Sequence, residues 1–418
     1  GQLTLSNGRL LIPTNIFTAG TEQALALADK NSRNRIMLDD MNNAQNPEDV
    51  PFPAPSLSYQ NALRLGDSVA GLTGVLDYSF SEYRVLPTLE PQFSVSNARP
   101  EMPQLNGEGT VKVASFNVLN YFNGDGFEGG FPTERGADNL EEFIRQSSKI
   151  VAALVDINAD IVGLMELEND GFADNSAIAD LVNKLNQQLG DNTYAYVSLE
   201  ENKVGDDAIA VGLLYKPATI ALVGSAITTN QQPFDFGNRQ PLVQTFKDIA
   251  SDETFTVAVN HFKSKGSCGS ATGNNQDQND GQGCWNELRT QAASSLVSWL
   301  NTKPTGTNDS DVLIIGDLNA YGKEDPINAL TEQAYQNLVA KSLGHSAYSY
   351  SFGGEMGYLD HALASAEFAG KVADTTVWHI NADEPRIFDY NTEFKSEDQQ
   401  VKYFDDGVYR ASDHDPIV

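Results

Sequence analysis

The sequence has few basic residues for its length. Its 418 residues contain 27 lysines and arginines against 57 aspartates and glutamates, which gives a formal net charge of −30. This balance favours high solubility and argues against a polybasic nucleic-acid groove or an anionic-membrane surface. An enzyme that acts on a polyanion remains compatible with it, provided that bound cations neutralise the site locally.

Long apolar runs are also missing. No stretch of about eighteen apolar residues occurs, so we predict no membrane span. The hydrophobic content of 40% still allows a sizeable core. The sequence begins at Gly1 without a charged, apolar leader, and we interpret it as a trimmed piece from which any signal peptide has already been removed.

Cysteine is scarce as well. Only Cys268 and Cys284 are present, on either side of a polar loop. In an exported protein we expect them to form a disulfide, and the alternative is two free thiols. No further ligands for a zinc site are evident nearby. Around Asp280 the loop is similar to a calcium loop, but Gln276 stands where an EF-hand needs its first acid.

The chain divides into two parts by pattern. Residues 1–108 contain short apolar runs punctuated by turn signals, with small residues that suit a curved sheet, and predict a small β-barrel. Residues 109–418 alternate strands with amphipathic helices, which predicts an α/β domain with helices on the outer faces of its sheets. Pro100 to Gly109 is interpreted as a linker.

Polar side chains that could act in catalysis or metal binding follow several apolar strands of the second part. They are Asn117, Glu166, His261, Asp317 with Asn319, Asp360, and the terminal pair Asp413 and His414. Singly, each has an ordinary explanation as a turn residue, a helix cap or a solvated strand end. Their joint occurrence, each at the end of an apolar strand, indicates an active site.

These residue types suit phosphodiester hydrolysis. That reaction needs a cation near the phosphate, a base for the attacking water and donors to the non-bridging oxygens. Oxygen ligands such as Glu166 and Asp413 favour Mg²⁺ or Mn²⁺. His261 and His414 donate hydrogen bonds or move protons near neutral pH, and Asp360 is placed to fix the tautomer of His414.

Four longer stretches carry a family resemblance. They are Val113–Phe122, Met165–Gly171, Asn260–Gly266 and Gly316–Tyr321. From about residue 111 to 418 the chain resembles the endonuclease/exonuclease/phosphatase (DNase-I-like) superfamily, and these stretches are similar to secreted bacterial nucleases of the ExeM/NucH type. The resemblance implies a four-layer α/β sandwich, preceded by an oligonucleotide/oligosaccharide-binding-like (OB-like) barrel.

The resemblance also implies roles for individual residues. Glu166, Asn117 and Asp413 would hold the metal ion, Mg²⁺ or Mn²⁺. Ca²⁺ is a further candidate cofactor, for the loop between the two cysteines. The catalytic set would be His261, Asp317, Asn319, Asp360, His414 and, behind the first histidine, Glu200. Arg239, Asn169 and Lys263 would meet the substrate, and Asp207 matches a family acid of less defined role. For Arg239 the alternative is a surface salt bridge.

We therefore expect a secreted, extracellular bacterial nuclease that is monomeric, depends on a divalent metal ion and cleaves DNA. RNA is the alternative substrate, and the sequence does not distinguish the two. One rival has the same fold and cleaves phospholipids or inositol phosphates, but the apolar membrane-contact hairpin of such enzymes is not found. Another rival is a binding or adhesion protein with a dead site, against which the intact polar strand ends count.

Overall fold

The computed structural model describes residues 1–418, and its N-terminal part consists of short strands and two helices. The elements are β1 (Gln2–Leu5), β2 (Leu10–Leu11), α1 (Pro13–Ile16), α2 (Glu22–Arg33), β3 (Ile36–Asp39), β4 (Ser68–Ala70), β5 (Gly74–Ser79), β6 (Glu82–Pro87) and β7 (Gln92–Ser94). One sheet has the order β1-β3-β6-β5, and β4 pairs separately with β7.

The predicted OB-like barrel is not confirmed, because this sheet does not close. Its outer strands β1 and β5 each pair on one side only, with β3 and β6 respectively. A barrel requires its edge strands to pair with each other. Strand β2 cannot help to close the sheet, since it pairs with a strand of the C-terminal part.

From Val113 onward the strands are longer and alternate with helices. The principal elements are β8 (Val113–Tyr121), α3 (Leu140–Ile157), β9 (Ile161–Glu168), α4 (Ala177–Leu189), β10 (Ala195–Tyr196), β11 (Ile209–Tyr215), β12 (Ile220–Ile227), β13 (Leu242–Asp248), β14 (Thr254–His261), α5 (Asn286–Leu300), β15 (Val312–Asp317), α6 (Asp325–Thr331), β16 (Gln336–Asn337), α7 (Leu338–Leu343), β17 (Tyr350–Phe352), β18 (Glu355–Gly357), β19 (Asp360–Ala364), α8 (Ala366–Ala369) and α9 (Glu397–Lys402).

Two sheets and two helical layers stack in this part, which confirms the α/β prediction. The sheets have the orders β10-β11-β9-β8 and β12-β13-β14-β15-β19-β16. Residues such as Met165 and Ile315 fill the space between them. Helices α3 and α4 pack on the outer face of the first sheet, and α5 and α6 on that of the second. A strand that is covered on both faces has an almost continuously apolar sequence.

The strand register determines where the polar strand ends meet. Strands β14 and β15 run parallel with His261 opposite Asp317, and β19 runs antiparallel to β15 with Asp360 opposite Asp317. In the other sheet, β8 and β9 are parallel and Asn117 lies opposite Met165. The carboxyl ends of these two parallel pairs therefore open onto the same edge of the sandwich.

The N-terminal part is bound tightly to the C-terminal part. Strand β2 pairs in parallel with β18. The side chain of Asn15, which is fully buried, donates to the carbonyls of His345 and Ala347 at 2.9 and 3.1 Å and accepts from the Tyr358 amide at 3.2 Å. The domain boundary near residue 108 stays a prediction. No helix in the chain is both long and apolar enough to cross a membrane.

Candidate active site at the strand ends

Side chains from both sheets meet at one buried point. Asn117 Nδ2 donates to Glu166 Oε1 at 3.2 Å and, across the sheet interface, to Asp317 Oδ2 at 3.4 Å. His261 Nε2 lies 3.5 Å from Asp317 Oδ2 and 4.0 Å from Glu166 Oε1. The structure thus brings together four residues that the sequence analysis selected from four separate strands.

Glu166 sits on unusual backbone. Its φ is 65°, in the left-handed region, and Leu119 and Asn120 at the end of β8 have φ of 55° and 52°. Such conformations cost free energy in non-glycine residues and cluster at functional sites. The result is that the Asn120 amide donates to Glu166 Oε2 at 3.1 Å. Burial, reinforced by the neighbouring Asp413 carboxylate, raises the pKa of Glu166.

Asp317 is the buried carboxylate at the centre of the cluster. Burial raises its pKa to about 7, with His414 opposing the rise and Asp360 adding to it. Its Oδ1 accepts from the Asn319 amide at 2.8 Å. The residue before Asp317 in the strand must be glycine. Gly316 has a φ of 130°, and a Cβ atom there would lie 1.9 Å from the Asn260 carbonyl oxygen.

The spacing of Asp317 and Asn319 predicts that both side chains lie on one face of an extended chain, and this prediction is wrong. Strand β15 ends at Asp317, and Asn319 has φ of 49° in the left-handed region. Its Nδ2 donates to the Phe262 carbonyl at 3.1 Å. Asn319 is therefore held beside the end of β14, next to His261.

His414 and Asp360 form the pair that the sequence analysis expected. His414 Nδ1 lies 2.8 Å from Asp360 Oδ2, which also accepts from the Ser349 hydroxyl at 2.6 Å. His414 Nε2 lies 3.9 Å from Asp317 Oδ2. Burial opposes protonation of His414, but the carboxylates of Asp360, Asp413 and Asp317 outweigh it and hold its pKa well above the usual value.

His261 has the opposite environment. Burial, together with the positive charges of Arg239 and His414, holds its pKa well below the usual value. The Nδ1 atom is buried without a hydrogen-bond partner. Glu200, expected behind this histidine, is exposed instead, because the neighbouring Leu199 turns into the core and Glu200 turns outward. The structure does not support a catalytic position for Glu200.

Arg239 is positioned by an acid. Its Nε lies 3.3 Å from Asp207 Oδ2, and its Nη1 lies 3.5 Å from His261 Nε2. Asp207 also pairs with Arg135 at 3.3 Å. Arg135 was not among the predicted residues, since it lies in an irregular loop far from any strand end. Two guanidinium groups thus flank the histidine side of the cluster.

Asn169 and Lys263 have less direct relations to the cluster. Asn169 Nδ2 donates to the carbonyls of Val204, Gly205 and Asp207 at 2.9–3.1 Å, so it anchors the loop that carries Asp207. Its hydrogen-bonding capacity is used within the protein, which argues against direct substrate contact. Lys263 is half-buried and lies over the Trp285 ring, 5.4 Å from its centroid.

The predicted metal ligands fit a hard cation in part. The Asp413 carboxylate raises the pKa of Glu166, and the Glu166 carboxylate in turn raises the pKa of Asp317. Asp317 and Asp413 both raise the pKa of His414. A cation bound among these acids would relieve their mutual repulsion. Asn117, however, directs its amide nitrogen at the carboxylates, and its Oδ1 accepts from the Leu119 amide at 3.0 Å. Asn117 therefore orients the carboxylates of Glu166 and Asp317, and its side-chain oxygen is not directed at a cation between them.

Two other places bear on metal binding. Asp138, Glu142 and Glu393 bring carboxylate oxygens within 4.8 Å of one another, but Glu142 already accepts from Thr392 and from the Asp138 amide. The loop closed by the Cys268–Cys284 disulfide, which forms as expected, contains no comparable group of acids. Asp280 there accepts from the amide and side chain of Gln282.

Residues that the sequence did not reveal hold the terminal segment in place. The Ser412 hydroxyl donates to the Asn117 carbonyl at 2.7 Å, which ties the last strand end to β8. Asn381 Nδ2 donates to the His414 carbonyl at 2.6 Å, and its Oδ1 accepts from the Ser412 amide at 3.1 Å. No sequence pattern distinguishes such a serine or asparagine from ordinary loop residues.

Comparison with known proteins gives two family matches. Residues 114–414 match the Endonuclease/Exonuclease/phosphatase family, and residues 4–98 match a Domain of unknown function (DUF8508). A comparison with curated proteins finds no match.

Many solved structures have a similar backbone fold. An endonuclease/exonuclease/phosphatase from Bacteroides vulgatus is 15% identical, with a TM-score of 0.45, covering 73% of this chain and 96% of that one. The human Nocturnin catalytic domain with bound sulfate is 14% identical, with a TM-score of 0.43 and coverage of 73% and 92%. Zebrafish (D. rerio) TDP2 with a single-strand DNA product is 14% identical, with a TM-score of 0.42 and coverage of 73% and 96%. Likenesses of this size carry no conclusion about substrate.

Proposed function

The chain belongs to the endonuclease/exonuclease/phosphatase family, and we propose that it is a metal-dependent phosphodiesterase that cleaves DNA. The observation that carries this proposal is the meeting of Glu166, Asp317, His261 and the Asp360–His414 pair at one edge of the sandwich. Four of these five ionisable groups are buried and Glu166 is half-buried, and ionisable groups are costly to bury together unless they serve a function.

Each residue has a place in the hydrolysis of a phosphodiester. With a pKa near neutrality, Asp317 is suited to hold the attacking water and accept its proton as the new P–O bond forms. Protonated His414, held by Asp360, donates to a phosphate oxygen, and Arg239 with His261 donates to the others. The bond to the leaving oxygen then breaks, and that oxygen takes a proton from solvent.

Enzymes of this family generally use divalent metal ions, and the residues present suit one. Glu166 and Asp413 would hold the ion, and Asn117 and the Asn120 amide would orient Glu166. When bound, a divalent cation supplies positive charge beside the phosphate and stabilises the charge that develops on it. Mg²⁺ or Mn²⁺ is the ion that we propose, because the ligand atoms are oxygens.

The finer assignment is a secreted bacterial nuclease of the ExeM/NucH type that acts on extracellular DNA. Its support is the set of four sequence stretches around the site and a disulfide, which is typical of exported proteins. A monomer is proposed with it. The large negative charge requires that DNA approach through local cation binding rather than through a basic surface.

The test compares the hydrolysis of several substrates in the presence and absence of added divalent metal ions. Metal-free protein is incubated with linear DNA, RNA and a phosphomonoester, with Mg²⁺, Mn²⁺ or Ca²⁺ added separately and with EDTA as the control. We expect DNA cleavage with Mg²⁺ or Mn²⁺ that EDTA abolishes. Release of phosphate from the monoester without cleavage of DNA would reject the diesterase assignment in favour of a phosphatase.

A further inference from the structure

A cavity of about 860 Å³ lies between the N-terminal part and the C-terminal part of the chain. One wall is formed by apolar residues of the N-terminal part, including Phe52, Leu63 and Leu65. The opposite wall carries the aromatic side chains of Tyr350, Phe352 and Tyr390. The volume falls within the range of roughly 300–1,000 Å³ that is usual for small-molecule sites.

This cavity borders the candidate active site. Asp413 and Asn120 are part of its lining, and the Asn120 amide donates to Glu166 Oε2 at 3.1 Å. The Tyr350 ring, also in the lining, lies 4.6 Å from the His414 ring, centroid to centroid. A substrate whose phosphate rests on the active-site cluster would therefore extend into the cavity.

Two arginines without a carboxylate partner line the cavity. Of the twelve arginines, only Arg289, Arg386 and Arg410 have no carboxylate within 4.0 Å. Arg289 is fully buried and donates to backbone carbonyls. The other two both line the cavity, and Arg410 Nε is buried without a partner.

Three of the four acids in the lining are paired with other cations, and the fourth, Asp413, belongs to the candidate active site. Asp389 is paired with Lys395 at 3.0 Å. Asp383 is paired with Arg9 at 2.9 Å, and Glu384 with Arg64 and, at 2.7 Å, with Arg99. All three arginines belong to the N-terminal part, so that part both forms a wall of the cavity and neutralises its acids. In a protein of net charge −30, two unpaired arginines beside an acidic active site indicate an anionic ligand.

We propose that this cavity binds one unstacked nucleotide of the substrate strand, next to the cleaved phosphodiester. Arg386 and Arg410 would hold its phosphate, and the base would lie against Phe352 and the apolar wall of the N-terminal part. A base enters such a cavity only after leaving its stack, so the preferred substrate is single-stranded or locally unpaired DNA. The inference rests on the proposed diesterase function and defines its substrate class.

The first test uses a ratio of two activities. Values of kcat/KM are measured for a single-stranded oligonucleotide and for bis(4-nitrophenyl) phosphate, which has no second phosphate and no nucleobase. The double substitution Arg386→Gln with Arg410→Gln should lower the oligonucleotide-to-diester ratio about tenfold, mainly by raising KM for the oligonucleotide. Arg33→Gln, which removes an exposed arginine paired with Asp29, should leave the ratio unchanged.

A second variant tests the N-terminal wall. Leu65→Trp adds bulk to a half-exposed lining residue, and we expect about a tenfold fall in the same ratio. Val95→Trp, at an exposed position outside the lining, is the matched control. Far-ultraviolet circular dichroism confirms that each variant is folded before its ratio is measured.

The outcomes separate the two proposals. Unchanged ratios in both the arginine and the Leu65 variants, with an active wild-type enzyme, would overturn the nucleotide site and leave the diesterase function standing. Wild-type protein that hydrolyses neither compound would overturn both. A fall in the ratio for either variant, with the controls unchanged, supports the nucleotide site.

Discussion

Two histidines in the site are held in opposite charge states by their neighbours. His414 faces three carboxylates. His261 also has Asp317 Oδ2 at 3.5 Å from its Nε2, but it is fully buried beside the positive charges of Arg239 and His414, and its Nδ1 has no hydrogen-bond partner. A carboxylate beside an imidazole favours its protonated form, and burial beside a guanidinium favours the neutral form. We therefore assign His414 the role of a cation that binds the phosphate. His261 has the role of a neutral hydrogen-bond donor.

Substitution of His414 tests this assignment. His414→Ala removes the cation that faces the phosphate, and we expect kcat for DNA cleavage to fall by about 10²- to 10⁴-fold. His345→Ala changes an exposed histidine outside the site and should leave kcat unchanged. A His414→Ala enzyme that cleaves DNA within threefold of the wild-type rate, a threshold of roughly 0.7 kcal/mol, would remove the Asp360–His414 pair from the mechanism.

His361 gives a pH prediction for stability. Its Nε2 donates to the Ala320 carbonyl at 2.8 Å, and burial lowers its pKa from 6.5 to about 4. Above pH 6.5 the residue is neutral in both states and has no effect. As pH falls from 6.5 to 4 the unfolded chain binds the proton first, so folding loses up to about 3 kcal/mol.

The measurement is the free energy of unfolding in denaturant at several pH values. The gap between wild type and His361→Gln should shrink by about 3 kcal/mol between pH 7 and pH 4, because the variant has no imidazole to protonate. Parallel curves for the two proteins across that range would show that His361 does not carry this pH dependence.

Single residues also mark the limit of prediction from sequence. Residues at the ends of buried strands could be selected because register brings such ends together, and Asn117, Glu166, His261, Asp317 and Asp360 do meet. Glu200 and Asn169 could not be judged in this way. Whether a loop side chain turns outward, as Glu200 does, or bonds to backbone, as Asn169 does, depends on tertiary contacts that leave no periodic pattern.

Among the elements, the buried strands and amphipathic helices were predictable and the edges were not. Helix α5 begins and ends where the apolar spacing predicts, at Asn286 and Leu300. Strand β12, at the edge of its sheet, has no clear apolar pattern in the sequence because several of its side chains are exposed. The apolar pattern at 374–379 also predicts a strand, but the structure has only an isolated bridge there, between Val377 and Ile417.

The disulfide loop gives a prediction at the element scale. Cys268 and Cys284 are 16 residues apart, and closing a loop of that length in the unfolded chain is worth about 3 kcal/mol. Replacing both cysteines by serine should lower the free energy of unfolding by about that amount. Denaturant titrations of the two proteins without reductant give the difference, and coincident curves would contradict it.

For the molecule as a whole, the N-terminal part contributes to the core and the cavity of the C-terminal part. The composition change near residue 108 indicated a separate barrel, but strand pairing between β2 and β18 and the buried Asn15 join the two parts. Such contacts link residues more than 300 positions apart, as Asn15 and His345 show. Local patterns contain no signal for them, which is why the sequence suggested a more independent unit.

Substitution of Asn15 tests this coupling. Asn15→Ala leaves two backbone carbonyls and two backbone amides without their side-chain partner in a buried place, so the free energy of unfolding should fall by about 2–3 kcal/mol. Asn7→Ala, at an exposed position, should change it by less than about 0.5 kcal/mol. Equal stability of the Asn15 variant and wild type would show that the interface contributes little.

The proposed function depends on the acids at the strand ends forming a metal-dependent diesterase site. The most direct measurement is nicking of circular plasmid DNA by metal-free protein as Mg²⁺ is added, for wild type, Glu166→Gln and the exposed control Glu332→Gln. We predict that wild type and Glu332→Gln nick the plasmid in a Mg²⁺-dependent manner and that Glu166→Gln is slower by about a hundredfold or more. Nicking that persists in EDTA, or a Glu166→Gln protein as active as wild type, would contradict the account.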